Sequence, residues 1–463
     1  MIILQPSVRL ADPHICSDAK NRLNILTAIF DTLVRRDLDG TFVGLLATDW
    51  SISADSRTWT FHLRTGITFH NGDQMSSADV TASLQRACDP SVGGELGTEG
   101  VWASYLGDAT LHAVDAATVQ LVTARPMADL LELLCAIPIM PQRVLPNVPQ
   151  HFIGSGPYQL IERSESEVVL TAFAQATTRT PAFDELRWRA EPDEAQRIAA
   201  VQAGEADLAT NLSPAGAAQL ESGLTQQSNM CVAFLINCKA ISDKRVRQAL
   251  NYAVDVEQLI EEVVDNGATA LNGPLTPLHF GCDPAVEPFG YDPEKARALL
   301  KSAEFNRPLI IDIPTSLPDE APELGKRIAA FFADVGLNVD LRTYEDRTAY
   351  AHRVKAKRIH DLCCFDSSPL STYRVLREKI NSDVAGPWWQ WYDNPAVNAL
   401  LDKASATPND AARQTIYYDA YRLMADDAPW LFLYRPTLYW GARRANKCVQ
   451  ISPEGLLRLE VGG

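Results

Sequence analysis

The sequence predicts an α/β protein of more than one domain, and three observations carry that prediction. Residues 292–365 alternate helix and strand signals in a β-α-β-α-β order, which requires a parallel sheet with right-handed crossovers. Residues 30–86 read differently, as turn-punctuated strands closed by a helix. At 463 residues the chain also exceeds what one ordinary core accommodates, so two or three domains are expected.

Residues 1 to about 35 read as strand, loop and helix. Tight turns follow at Asp39-Gly40, Ala54-Asp55-Ser56 and Asn71-Gly72-Asp73. Between them Trp59, Phe61 and Leu63 face one way, and Thr58, Thr60, His62 and Arg64 the other. A helix begins near Ser76-Ser77-Ala78-Asp79, and Ala113 to Leu121 reads as a hairpin. The most apolar window, Met127 to Met140, is short and contains Asp129 and Glu132, so it predicts a core helix and not a membrane span. In Gly154-Ser155-Gly156-Pro157-Tyr158 the glycines supply backbone freedom for a tight entry into a strand. No lysine or helix follows at phosphate-loop spacing.

Gln196 to Thr210 predicts a helix with Gly204 past its end, then a strand at Asp207-Leu208-Ala209. Phe234 to Asn237 is a strand. Asp243 opens a helix with Val246, Ala249, Leu250 and Ala253 on one face, and Asp255 caps the next with Gln258 three residues on. In the β-α-β-α-β region Asp292 caps and Pro293 takes the first helical position. Strands are expected at Leu309 to Ile313, Leu337 to Leu341 and Leu362 to Phe365. Helices are expected at Pro322 to Val335, stopped by Gly336, and at Asp346 to Lys357.

Forty-two basic and 58 acidic residues give a net charge of −16, which argues against a nucleic-acid partner and against adsorption to an anionic membrane. The nine cysteines are odd in number and scattered, so they form no disulfide framework. Most have apolar neighbours and are expected to be buried small hydrophobes. No Cys/His spacing suggests a metal site, no cofactor motif is present, and no G-x-S-x-G, H-E-x-x-H or Walker loop suggests an enzyme.

The candidate site lies where the last parallel strand ends. In open parallel sheets, ligands bind beyond the carboxyl ends of strands. The strand ending at Phe365 runs into Asp366-Ser367-Ser368-Pro369, where Ser368 suits an N-cap and Pro369 the first residue of a helix to about Ile380. A helix start attracts anions and Asp366 can hold an ammonium, so together they suit a zwitterion. Asp366 and Ser368 acting only as caps is the competing reading. Arg374 either pairs with a ligand carboxylate or sits on a solvated helix face. In Trp388-Trp389-Gln390-Trp391-Tyr392, alternation puts Trp389 and Trp391 on one side and Trp388 on the other; they line a cleft or fill an interdomain core.

Several strings then stand together: Leu46-Ala47-Thr48-Asp49-Trp50, Ser53-Ala54-Asp55, Thr58 to Gly66, Phe69, Gly72 and Ala78-Asp79-Val80. With Asp12-Pro13-His14, the Gly154 to Tyr158 string and Asn394 to Leu401, they resemble the bacterial extracellular solute-binding proteins of family 5, receptors of ABC importers for peptides, nickel chelates and opines. The resemblance implies a bilobal periplasmic-binding-protein fold (type II, cluster C) with an extra small α+β domain. Lobe I would comprise 1–35, 151–231 and 434–463, the inserted domain 36–150 and lobe II 232–433. It implies a monomer that captures a small zwitterionic solute (peptide, opine or amino-acid conjugate) between the lobes, closes like a flytrap and delivers to a membrane permease. Phe365, Asp366, Ser367 and Ser368 occupy the family's ligand-contact segment, and Ser17 and Asp18 resemble positions that face ligand from the opposite lobe. Phe365 replaces the family's usual tryptophan and the loop is shorter, so ligand identity does not transfer. Met1 to Gln5 lacks the features of an export signal. The expectation is a periplasmic protein whose leader lies outside this sequence. The alternative, suggested by the cysteines, is a cytosolic metabolite sensor on the same fold.

Overall fold

The chain opens on a buried strand, Ile2–Gln5 (β1), and a helix, Lys20–Ile29 (α1), whose Ile25, Leu26 and Ile29 enter the core. The computed structural model describes residues 1–17, 19–94, 101–316 and 318–461. They divide into two units, Met1–Gln226 with Leu438–Gly463, and Gln227–Thr437.

In the first unit the loop after β1 is tied down by Asp12-Pro13-His14. Arg86 grips the Asp12 carboxylate through both Nη atoms at 3.0 and 2.5 Å, and its Nη1 lies 3.0 Å from His14 Nδ1. An arginine can only donate. Nδ1 therefore accepts, and Nε2 carries the proton donated to the Pro138 carbonyl at 2.9 Å. Burial, with the Arg86 charge adding, holds His14 down to about 4. In the unfolded chain this histidine takes its proton near the usual 6.5. Its neutral form therefore favours folding above that pH, and the advantage is lost as pH falls from about 6.5 to about 4. We expect the free energy of unfolding to fall across this window, and the fall to be about 3 kcal/mol smaller in His14→Gln.

A separate antiparallel sheet follows, from Ala47–Ile52 (β2), Thr58–Leu63 (β3), Thr110–Asp115 (β4) and Thr118–Val122 (β5), in the order β2-β3-β5-β4. Trp59, Phe61 and Leu63 are buried as the alternation requires, and the expected hairpin is β4–β5. Ser77–Ala87 (α2) starts at a reciprocal cap between Ser76 and Asp79. The core helix expected at Met127 to Met140 is a correction: only Leu131–Leu134 is helical. The segment is buried, but Ile139 N–H is taken by the Asp31 carbonyl and Met140 N–H by Ser83 Oγ, both at 2.9 Å. Pro138 and Pro141 remove two further donors.

The main sheet of this unit adds Tyr158–Arg163 (β6), Glu167–Ala172 (β7), Glu185–Ala190 (β8), then a helix Glu194–Ala203 (α3) ended by Gly204 at φ +78°, and Leu208–Ala209 (β9). The order is β9-β1-β8-β7-β6, with β1 parallel to β8 and β9. The reason for the glycines at 154 and 156 is also a correction. Neither has a positive φ. Both are needed because the chain passes against the end of α1: a Cβ at Gly154 would be driven into the Ile29 carbonyl oxygen, and one at Gly156 would meet Ala28 O at 2.7 Å.

The second unit holds Cys231–Ile236 (β10), helices Lys244–Tyr252 (α4) and Val256–Val264 (α5), Ala268–Ala270 (β11), and Pro293–Ser302 (α6). The parallel region follows as Leu309–Pro314 (β12), Ala321–Asp334 (α7), Val339–Tyr344 (β13), Arg347–Lys355 (α8) and Leu362–Ser367 (β14). Thr372–Lys379 (α9), Pro395–Ser405 (α10), Asp410–Asp427 (α11) and Trp430–Ala442 (β15) complete it, β15 ending in the other unit. The sheet order is β13-β12-β14-β10-β15-β11, with β12 parallel to β13 and β14 and the other pairs antiparallel. One face buries Val232, Phe234, Leu362 and Cys364, the other Ala233, Leu235, Cys363 and Phe365. Cys363 and Cys364 therefore point to opposite cores.

None of the nine cysteines is in a disulfide among the described residues, and six are buried. Burial pushes the thiols of Cys88, Cys135 and Cys238 up to about 12 and that of Cys282 to about 11. Thiolate is the reactive form. We therefore expect a disulfide reagent near pH 8 to label about one thiol of the native protein quickly, at half-buried Cys448, and the rest only on unfolding.

Candidate functional site

Three parallel strands of the second unit end side by side, and each feeds a charged residue into the loop that follows. After β12 comes Glu320, at the start of α7. After β13, Asp346 caps α8 with its side chain on Ala349 N–H, which sets Arg347 at the first helical position. β14 itself carries Asp366.

Arg347 Nη2 lies 3.7 Å from Asp366 Oδ1, with side-chain exposures of 11% and 23%. The Arg347 guanidinium also sits over the rings of Phe365 at 5.3 Å and Tyr350 at 5.6 Å. Phe365 packs on Trp388 with ring centroids 4.9 Å apart. Glu320 Oε1 accepts a 3.0 Å hydrogen bond from Tyr434 Oη. Burial pushes the Glu320 carboxyl up, and the negative charges of Asp319 and Asp366 add to the effect. More carboxylates than cations thus gather at this strand end, which suits a group carrying an extra positive charge. The nearest nucleophilic side chains are not activated: burial raises the Tyr350 and Tyr434 hydroxyls and the Cys364 thiol well above their ordinary values.

The structure gathers some of the expected residues here and not others. Phe365, Asp366, Ser367, Ser368 and Trp388 lie at the β14 end. The helix expected to start at Ser368-Pro369 is corrected. It starts at Thr372 and is capped by Ser371, whose hydroxyl accepts from Arg374 N–H at 3.1 Å. Long-range partners decide this. Asn229 Nδ2 donates to the Ser368 carbonyl, and His279 Nε2 lies 2.8 Å from the Pro369 carbonyl, so both backbones are spoken for outside a helix. Arg374 is on no solvated face. It is 6% exposed, with Nε 3.4 Å from Glu378 Oε1, and Lys379 Nζ is 3.6 Å from Glu378 Oε2.

Trp389 and Trp391 pack together with ring centroids 5.2 Å apart, while Trp388 packs on Phe365; the segment is a turn and a bend with Trp391 at φ +67°, so strand alternation does not set these faces. Trp389 and Trp391 are not brought to Asp366. The Gln390 carbonyl accepts from Cys238 N–H at 3.0 Å, and Lys239 Nζ lies 4.7 Å over the Trp391 ring. This is the far end of six-residue β10, about 20 Å from the Cys231–Ser367 pair. In the first unit Ser17 is half-buried after the β1 loop, and Asp18 lies outside the described residues. Sequence reasoning missed Glu320, Arg347 and Tyr434. Applying the strand-end rule to β12 and β13 as well as β14 would have found the first two.

The family model described as bacterial extracellular solute-binding proteins, family 5 Middle, matches residues 41–371. The dipeptide-binding protein of Escherichia coli K12 is 28% identical over 451 residues, covering 89% of this chain and 84% of that protein. The glutathione-binding protein GsiB of Pectobacterium atrosepticum is 26% identical, covering 97% and 91%. In fold, the chain is similar to HbpA2 from Haemophilus parasuis, with a TM-score of 0.85, 20% identity and coverage of 99% and 98%. No helix among the described residues is long and apolar enough to cross a membrane.

Proposed function

This chain belongs to the bacterial extracellular solute-binding proteins of family 5, and we propose that its solute is a small zwitterion, a peptide, opine or amino-acid conjugate, captured for an ABC importer. The observation that carries this reading is the Asp366–Arg347 pair at the carboxyl end of β14, beside Glu320. Asp366 takes the ammonium group, with Glu320 adding to the field. Phe365 is buried and backs the half-buried Trp388, whose ring offers the apolar surface, and Ser367 and Ser368 complete the contact segment. Dipeptide- and glutathione-binding relatives support an amino-acid-derived solute. Residence in the periplasm, a monomeric state and delivery to a membrane permease belong to the same reading. The cytosolic-sensor alternative is not favoured by these relatives.

A thermal-shift screen tests it, using di- and tripeptides, glutathione, opines, amino-acid–sugar conjugates, oligosaccharides and nickel chelates. At about 100 times its dissociation constant a true solute adds about 2.7 kcal/mol of stability. A shift confined to ammonium-bearing members is the expected result. A shift with oligosaccharides alone would overturn the zwitterion reading.

A further inference from the structure

The other face of the same strand end carries two polar side chains that the fold does not satisfy. Cys231 of β10 is paired with Ser367 of β14 on one side, and Val232 is paired with Tyr434 of β15 on the other. This register sets Ser367, Cys231 and Arg435 in a row across three strands, and Arg435 is paired in turn with Thr269 of β11. Ser367 is 3% exposed, and its Oγ makes no hydrogen bond to the described residues. Arg435 is half-buried. Its Nε is buried without an acceptor, and no acidic side chain among the described residues ion-pairs with it. Burial pulls its pKa down, with the Cys282 and Cys231 thiols opposing. A half-buried guanidinium whose Nε is buried and unpaired is costly, and a fold tolerates it where an anion completes the site.

We propose that Arg435 and Ser367 form a carboxylate subsite over Cys231, with Arg435 as the bidentate donor and Ser367 Oγ–H as a second donor. Naming the anion as the solute's own carboxylate rests on the receptor reading above. It sets that carboxylate on the opposite face of β14 from Asp366, and so asks for a solute whose two charged ends straddle the strand end. Arg435 is then a specificity determinant for free acids against their amides and esters.

Acetate is the probe, because it carries a carboxylate and no ammonium. Thermal unfolding of the full chain is followed in rising sodium acetate against sodium chloride of equal ionic strength. The proteins are the wild type, Arg435→Gln, Arg435→Lys and Ser367→Ala. Acetate should raise the wild-type midpoint about 2–4 °C above chloride. That difference should vanish in Arg435→Gln, shrink in Ser367→Ala and survive in part in Arg435→Lys. In chloride alone Arg435→Gln should melt at or above the wild type, since it loses an uncompensated half-buried charge. An equal acetate effect in wild type and Arg435→Gln overturns the proposal. So does an Arg435→Gln protein that melts lower or does not fold, which would make Arg435 a structural residue. A solute screen that fails while the acetate effect holds would overturn the zwitterion reading and leave the subsite standing.

Discussion

Asp31→Ala should cost the first unit about 3–5 kcal/mol, the range for breaking one partner out of a buried ion pair. Asp31 is fully buried at the end of α1. It accepts from Arg179 Nε at 2.9 Å and Nη2 at 2.8 Å, from Thr178 Oγ1 at 2.7 Å and from Ser155 Oγ at 3.1 Å. Arg179 also donates to the Thr27 and Phe30 carbonyls at 2.8 and 3.2 Å, and to Glu460 at 3.0 Å. Glu460 accepts in turn from Arg35 at 2.7 Å. Burial alone would lower the Arg179 pKa, yet it is raised, because Glu460 and Asp31 together outweigh the desolvation. The network joins α1, the Gly154 to Tyr158 string and the chain's last strand residues. Truncating Asp31 removes four accepted hydrogen bonds and leaves a 9%-exposed guanidinium short of a counter-charge. Urea denaturation measures the loss. Asp31→Leu combined with Arg179→Met should recover much of it, because a matched apolar pair lacks the uncompensated charge. A loss below about 1 kcal/mol, the value of an exposed pair, would mean that water reaches Arg179 and the network contributes little.

Such networks mark where reading the sequence stops working. The alternation of Trp59, Phe61 and Leu63 was legible because burial of one sheet face is a local, period-two property. The β-α-β-α-β region was legible because Asp292, Asp346 and Gly336 signal helix ends through their own backbone geometry. At Met127 to Met140 the hydrophobicity is just as strong, but the backbone donors go to Asp31 and Ser83, far away in sequence. The glycines at 154 and 156 looked like turn residues, and only the approach of α1 explains them. Ser368 and Ser371 are equally good caps in isolation. Asn229 and His279 choose between them, by occupying the carbonyls of Ser368 and Pro369.

The site divides along the same line. Asp366 and Phe365 were legible because they end a strand whose direction the sequence gives. Glu320 and Arg347 needed the neighbour order β13-β12-β14, which is a topological fact. The tryptophan string falls on the illegible side. Alternation predicts which rings fall together, but the backbone here turns and Trp391 sits at φ +67°, and nothing local says that Gln390 will anchor to Cys238 and carry two of the three rings to the far end of β10.

Asp366→Ala should weaken an ammonium-bearing solute by about 1.5–3 kcal/mol, the range for a hydrogen bond to a charged group. In affinity that is about 10- to 150-fold. The carboxylate is more than three-quarters buried, so water screens its charge only in part. Glu320→Gln should cost less, because the Glu320 carboxylate already accepts from Tyr434 and acts on the solute through its field. Calorimetry with a solute from the screen and with its N-acetyl derivative isolates the contact. The derivative keeps the shape and loses the positive charge, so it should bind wild type and Asp366→Ala within about twofold of each other, the scatter expected of groups that do not interact. If Asp366→Ala weakens both compounds equally, its effect runs through the Arg347 side chain and the packing on Phe365, and Asp366 does not hold the ammonium. Affinity unchanged for the charged solute would remove Asp366 from the site.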